Sequence, residues 1–352
     1  MKVLFITPWY PSEKDAMAGL FVQKHADAVR AQGADVRVIH SQGWWSTWRQ
    51  WRALRREGWL PDIVQLNIIH SQGLLALWLK RRYGIPYLIV EHWSGYLPEN
   101  LFFTQMARPQ RDWYKRIARH AEIILTVSDR HAQAMQACGI TNPHWGRINN
   151  VVDDFFYEIP KTLINQNTPI NPTSPKTFLH VSCFDEHAKN VKGLLRAAKR
   201  LSGKRQDWRL VLVGTGIDYA DVRSYADSLH FPDGLLEWTG EITPREVAEW
   251  MSKADTFVLP SHYENAPVVI SESLAKGLPV VASRVGGIPE MVNDQCGLLV
   301  TPGNDDELEA ALERMLDHYQ DYDREQIRQE GAQYAFATVG KKLKAIYEKI
   351  LL

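Results

Sequence analysis

Short unbroken apolar runs recur along this chain, each followed by a longer amphipathic stretch. This alternation restricts the fold more than any other feature of the sequence. Tyr87-Leu88-Ile89-Val90 is typical. A strand buried on both faces has no polar side, so such runs suit a parallel sheet covered by crossover helices. Strands are expected at 2–7, 35–40, 62–67, 86–91, 122–128 and 143–149. Helical patterns lie between them, at 19–32, 46–57, 71–83, 108–120 and 129–138. Strand–helix alternation of this kind specifies a doubly wound α/β domain.

The pattern breaks at 159–176. Pro160, Pro169, Pro172 and Pro175 sit there among Asn, Thr and Ser with no apolar period, as in a linker. It resumes with strand runs at 178–184, 209–214, 235–240, 256–260, 279–283 and 297–300. Two doubly wound Rossmann-like domains are therefore expected, 1–158 and 177–332, facing across a cleft. The amphipathic segment 333–352 is expected to pack back on the first. Ligands of such sheets bind outside the carboxyl ends of the strands.

Composition removes several other classes. Of 352 residues, 45% are hydrophobic and 23% charged, which excludes a disordered chain, a collagen-like chain and a disulfide scaffold. No run reaches the ~18 apolar residues of a membrane span. The chain opens directly on the strand run 2–7, so no signal peptide is expected. Cys138, Cys183 and Cys296 have neither zinc nor disulfide spacing, which fits a reducing cytoplasm. The net charge of zero conceals an asymmetry. Residues 1–150 carry 19 Lys and Arg against 11 Asp and Glu, a balance of +8, and the remainder carries 22 against 30, a balance of −8. Ten of the thirteen tryptophans also lie in the first 150 residues. The first half is thus suited to an anionic partner or surface, although attraction between the two halves would also account for it. No nucleic-acid partner is expected.

The most informative stretch is Ser261-His262-Tyr263-Glu264-Asn265-Ala266-Pro267-Val268-Val269-Ile270-Ser271-Glu272. A strand ends at Pro260, a loop holds Glu264, and Pro267 suits the first turn of a helix that stops at Gly277. The helix is nearly all apolar and should be buried, where carboxylates are costly unless paired. Eight residues of helix rise roughly 12 Å, enough to touch separate parts of one extended ligand. The first-turn N–H groups near Ala266, Val268 and Val269 form an anion cradle. A nucleoside diphosphate fits, with phosphates at the helix start and sugar hydroxyls on the carboxylates. The residues alone leave a second reading open: a capping carboxylate and a buried ion pair.

The Glu264–Glu272 spacing lies between a strand ending in Pro-Ser and the run Gly277-Leu278-Pro279-Val280-Val281-Ala282. Arg284-Val285-Gly286-Gly287-Ile288-Pro289-Glu290 and Gly297-Leu298-Leu299-Val300 follow. Together with Ala18-Gly19-Leu20-Phe21, Asn149-Asn150-Val151-Val152-Asp153, Val181-Ser182-Cys183-Phe184 through Lys189-Asn190, and Val213-Gly214-Thr215-Gly216, this order resembles the retaining nucleotide-sugar glycosyltransferases of family four, which have the GT-B fold. The resemblance covers essentially the whole chain. It implies a hexosyltransferase that uses a UDP-, GDP- or ADP-sugar donor and no cofactor. The acceptor would be a glycan or a lipid-linked sugar in surface polysaccharide synthesis. It further implies that Glu272 accepts the donor ribose hydroxyls, that Glu264 contacts the transferred sugar, and that Lys189 neutralises the pyrophosphate as it departs. Asn190, Asn265, Ala266, Val268 and Val269 join the donor site, and Gly286, Gly287 and Gly19 let backbone approach the donor. His92, at a strand's carboxyl end, contacts the donor sugar. His70, Asn67 and His40 also follow strands and rank below it. A plain turn glycine at 19 and a satisfied loop histidine at 92 are the structural alternatives.

Three features complete the reading. The family commonly carries an Arg where Cys183 stands, and a thiol cannot supply a bidentate clamp. Lys189 with backbone amides, or Lys192, would then have to suffice. No metal is expected: Asp321-Tyr322-Asp323 matches the Asp-x-Asp of metal-dependent transferases in letters only and sits in a charged helical stretch. Segment 44–59 places Trp44, Trp48 and Trp51 with Arg52 and Arg55 on one helical side, which suits a sugar-phosphate acceptor or peripheral contact with an anionic membrane at its inner face. An ordinary core helix with snorkelling arginines is the alternative. Two rival functions share the fold: a nucleotide-sugar 2-epimerase and a non-catalytic nucleotide-sugar binder.

Overall fold

The computed structural model describes residues 1–13, 15, 17–158 and 175–352. The expected linker 159–176 lies outside the described residues except for Pro175 and Lys176. The chain divides into two compact units, Met1–Val151 with Phe336–Leu352, and Val152–Ala335.

The first unit is built on a six-stranded parallel sheet of β1 (Lys2–Thr7), β2 (Asp35–His40), β3 (Ile63–Asn67), β4 (Tyr87–Glu91), β5 (Ile124–Thr126) and β6 (Trp145–Arg147), in the order β2-β1-β3-β4-β5-β6. Its helices are α1 (Leu20–Ala31), α2 (Trp44–Arg56), α3 (Leu74–Tyr83), α4 (Phe102–Gln105), α5 (Arg108–His120) and α6 (Asp129–Ala137). The unbroken apolar runs have a simple cause. Along β1, Leu4 and Ile6 enter one core with Trp51, Leu75, Leu79 and Ile117, while Val3 and Phe5 enter another with Val22 and Val29. Strands β5 and β6 are shorter than their apolar runs. Ser128 leaves the β5 run to cap α6, accepting from His131 N at 3.1 Å.

The second unit repeats the plan with β7 (Lys176–Val181), β8 (Trp208–Val213), β9 (Leu236–Gly240), β10 (Thr256–Leu259), β11 (Val280–Ser283) and β12 (Gly297–Val300), in the order β12-β11-β10-β7-β8-β9. All pairings in both sheets are parallel. The helices are α7 (Glu186–Lys189), α8 (Val191–Ser202), α9 (Tyr219–Ser228), α10 (Pro244–Lys253), α11 (Val268–Ala275), α12 (Asp305–His318) and α13 (Arg324–Gly331). The last helix, α14 (Phe336–Leu351), belongs to the first unit. Its Val339, Leu343 and Tyr347 join the α1-side core, and the Tyr347 hydroxyl donates to Gln65 Oε1 on β3. Among the described residues no helix is long and apolar enough to cross a membrane.

Candidate active site

In the second sheet the strand order reverses between β7 and β10, so the loops leaving these neighbours diverge and open a crevice at their carboxyl ends. His180 bolts the two strands together there. Its Nδ1–H donates to the Val258 carbonyl at 2.9 Å, so its Nε2 accepts from Ser182 Oγ at 2.8 Å. Burial pulls this imidazole down to about 4, and it stays neutral at physiological pH.

Lys189 ends the single turn of α7, whose first residue is preceded by the capping Asp185. Asn190 then takes the left-handed conformation (φ 52°) and turns the chain into α8. Its Nδ2 donates to the Pro260 carbonyl at 3.2 Å, and His262 N donates to the Ala188 carbonyl at 2.8 Å. These bonds lay the β10 loop against α7 and bring Lys189 Nζ to 2.5 Å from Glu264 Oε1. Ser261 Oγ donates to the same oxygen at 2.9 Å. The two side chains are only 16% and 10% exposed. Burial pulls the Lys189 ammonium down, but the charge and hydrogen bond of Glu264 outweigh it and hold the group above its usual range. Behind the pair, Gly286 (φ 50°) presses on the β10 loop: a Cβ there would stand 1.6 Å from the Glu264 carbonyl oxygen. Gly287 N donates to the Asn265 carbonyl at 2.8 Å. Glu264 thus forms the buried ion pair of the second reading, with Lys189 as its cation, but it does not cap α11.

Helix α11 starts one residue later than expected. Pro267, in an extended conformation, is its cap residue rather than part of the first turn, and Ala266 lies before it. Among the described residues no side chain caps this end, so the N–H groups of Val268 and Val269 open the helix, while Ile270 N already bonds the Pro267 carbonyl at 3.1 Å. Glu264 stands in the loop, so the helical rise of eight residues does not apply to its separation from Glu272, which lies half-buried in the second turn. The helix stops as expected at Gly277: Leu278 N reaches the Ser273 carbonyl at 3.0 Å and Gly277 N the Leu274 carbonyl at 2.9 Å, a Schellman ending.

Gly19 and His92 belong to the first unit, whereas Lys189 and Glu264 belong to the second. Gly19 (φ 67°) opens α1 against the Trp9 carbonyl oxygen, which a Cβ would meet at 2.3 Å. This close approach requires the glycine. His92 follows β4 with its ring 4.3 Å from that of Phe21 and 5.5 Å from that of His25, and the Asn150 side chain hydrogen-bonds it. Burial, aided by the neighbouring His25 and His131, keeps it well below the usual imidazole range.

Glu91, one residue earlier, escaped the sequence reading. It is fully buried and accepts from Ile69 N at 2.8 Å and from His92 N and Trp93 N at 3.0 Å each. Burial lifts its carboxyl to about 7. Its signal in the sequence is a lone carboxylate closing an apolar run. Of the lower-ranked residues, His40 Nε2 meets the Pro8 carbonyl at 3.2 Å, and His70 Nδ1–H donates to the Ile68 carbonyl at 2.8 Å. His70 Nε2 and Asn67 Nδ2 are buried with no hydrogen-bond partner among the described residues. Between them Ile68 sits at φ 62°, a strained conformation for a β-branched residue.

Cys183 is exposed just beyond β7 and lies within electrostatic reach of Lys189. Lys192 does not join that group, because Asp221 holds its ammonium at 2.5 Å. Asp321-Tyr322-Asp323 is not one helical face but a junction between helices. Asp323 caps α13, accepting from Glu325 N at 2.8 Å, and Asp321 pairs with His318 at 3.0 Å. Among the described residues no group of three or more His, Cys, Asp or Glu side chains is arranged to hold a metal.

Comparison with known proteins agrees with this architecture. The family described as Glycosyltransferase Family 4 matches residues 1–154, and that described as Glycosyl transferases group 1 matches 163–334. The chain belongs to the family-four type of GT-B glycosyltransferases. A GDP-mannose-dependent alpha-mannosyltransferase of Mycobacterium tuberculosis is 28% identical over 73% of the chain, and the match spans 64% of that protein's length. A Bacillus subtilis glycosyltransferase named for teichuronic acid biosynthesis, TuaC, is 22% identical over 99% of the chain and 98% of its own. The structure of Anabaena HepE in complex with UDP superposes with a TM-score of 0.78 at 17% identity, covering 99% of this chain and all of that one.

Proposed function

We propose that this protein transfers a hexose from a nucleoside-diphosphate sugar to an acceptor hydroxyl in polysaccharide biosynthesis, with retention of anomeric configuration. The observation that carries the reading is the Lys189–Glu264 pair, buried at the β7/β10 switch point beside the uncapped start of α11. Lys189 and the N–H groups of Val268 and Val269 meet the pyrophosphate, and Glu272 takes the ribose. Glu264, Asn190, Asn265 and the backbone at Ala266, Gly286 and Gly287 line the same site. Gly19 and His92 are assigned to the donor on the family resemblance. The bond from the anomeric carbon to phosphate oxygen breaks, a bond to the acceptor oxygen forms, and the acceptor proton passes to the departing phosphate. Leaving-group stabilisation by Lys189 stands in for the family's Arg at Cys183 and for a metal. The mannosyltransferase relative is named for GDP-mannose and HepE was solved with UDP, so both bases are candidates.

A thermal-shift panel of UDP, GDP, ADP and their hexose conjugates tests the site. Saturation at ~100 times Kd adds about 2.7 kcal/mol of stability. Protection by none of these ligands sinks the reading. Incubating the protecting sugar nucleotide without acceptor separates transfer from epimerisation, since only an epimerase then yields a new sugar nucleotide. Loss of donor turnover in Glu264→Ala and His92→Ala separates catalysis from binding alone. The anomeric proton of the transfer product, read by NMR, decides between retention and inversion.

A further inference from the structure

The transfer reaction leaves one prominent feature unused: the outer side of α2. Trp51, expected on the aromatic face, turns inward and is 2% exposed, and Trp59 beyond the helix is buried with its Nε1–H on Asp35 at 2.7 Å. What remains outward spans an arc of about 140° at 100° per residue. Trp44, Trp48 and Trp45 occupy it, interleaved with Arg55, Arg52, Arg56 and Arg49, and every one is exposed. The arc holds no acid, no aliphatic side chain and no lysine. Trp45 is 90% exposed. Helix α3 extends the surface: Trp78 packs edge-on to Trp48 at 5.3 Å, and Arg82 lies 5.2 Å from the centre of the exposed Tyr83 ring. None of the α2 arginines has an acidic partner among the described residues. The nearby acids serve other cations, Glu57 beside Arg37 at 3.9 Å and Glu122 beside Lys80 at 2.7 Å.

Large rings held in water forfeit the free energy of burial, and a contiguous patch of them marks a surface that meets a partner. Tryptophan, apolar in body with one N–H, favours the depth of lipid headgroups. Arginine keeps its charge and grips phosphate with a fork of donors. A helix face is convex, which suits a flat surface better than a soluble chain seeking a groove. We propose that α2 lies on an anionic lipid surface, its tryptophans at headgroup depth and its arginines on lipid phosphates. The excess of basic residues in the first 150 positions, +8, adds a long-range attraction to the same surface.

Sedimentation of the full chain with phosphatidylglycerol–phosphatidylcholine vesicles tests this. The chain should pellet at ~50 mM salt and be released at ~500 mM, and should ignore pure phosphatidylcholine. Each basic residue at such a surface is worth about fivefold, so combining Arg49→Gln, Arg52→Gln and Arg56→Gln should weaken binding about a hundredfold. Trp44→Ala with Trp45→Ala should weaken it at constant charge and remove quenching of tryptophan fluorescence by brominated lipid. All five side chains are exposed, so unchanged thermal unfolding is expected of both variants. The proposal is overturned by absence of pelleting at low salt, by pelleting that survives the triple arginine variant, or by binding to soluble dextran sulfate with no binding to vesicles.

Discussion

Gly286→Ala strikes the point where one loop holds another in register. A Cβ at 286 would stand 1.6 Å from the Glu264 carbonyl oxygen and 2.7 Å from its carbon, where real contacts stay beyond 3.0 Å. The two loops must therefore part by at least 1.4 Å, the difference between those limits. Because Glu264 carries the contact to Lys189, the pair moves with its loop. For the role proposed for the pair, a misplacement of ~1 Å costs ~10²-fold in rate. The substitution also forces a side chain into φ 50°, which by itself costs ~1–2 kcal/mol. Gly234→Ala separates the two effects, since Gly234 has φ 80° but nothing within 4 Å of its added Cβ. The control should lose ~1–2 kcal/mol in urea unfolding and keep its donor turnover. Gly286→Ala should lose more stability and ~100-fold in sugar-nucleotide consumption. Turnover within threefold of the parent, or an equal loss in the control, would refute the reasoning.

Other substitutions probe the buried charges. Lys189→Ala or Glu264→Ala strands a mostly buried partner and should cost ~3–5 kcal/mol, with the double variant far less than additive; additivity in urea titrations would mean the pair contributes nothing. Burial holds His25, His70, His131 and His180 at about 4, below the ordinary 6.5. The unfolded chain binds their protons first, so their stabilisation is complete above pH 6.5 and is lost as pH falls towards 4. The urea midpoint should accordingly be lower at pH 5 than at pH 7, and an equal or higher midpoint contradicts this. Glu91, lifted from 4.5 to about 7, has the opposite sign: its contribution is present below pH 4.5 and fades as pH rises through 7. Glu91→Gln should destabilise, because both carboxyl oxygens face backbone N–H groups and the amide replaces one of them with an NH2 that can only donate. The deficit should shrink by up to about 3 kcal/mol between pH 5 and pH 8, and a deficit that grows over that range rules the assignment out.

Much of the architecture is local and therefore readable in order along the chain. An unbroken apolar run implies a strand with two covered faces, and Leu4 and Ile6 do enter a different core from Val3 and Phe5. Stop and cap signals held where a few neighbouring residues decide them, as at Gly277. They slipped by a residue at Pro267, where backbone geometry assigns it to the cap.

Other features depend on residues far apart in the chain. Lys189 and Glu264 are 75 positions apart, and their contact needs the strand reversal that sets β10 beside β7. His180, which bolts those strands, and Glu91, which gathers the loops after β3 and β4, look like ordinary members of apolar runs until the sheet assembles. Helical periodicity alone could not decide whether Trp51 or Trp45 faces water, because tryptophan suits a core and an interface equally. The side taken by the sheet and by α3 decided it. Sequence by itself determined which segments become strands and helices, since a few adjacent side chains select those states. Tertiary structure decided which charges pair and which rings stay outside, because burial and Coulomb attraction act through space between residues the chain keeps apart.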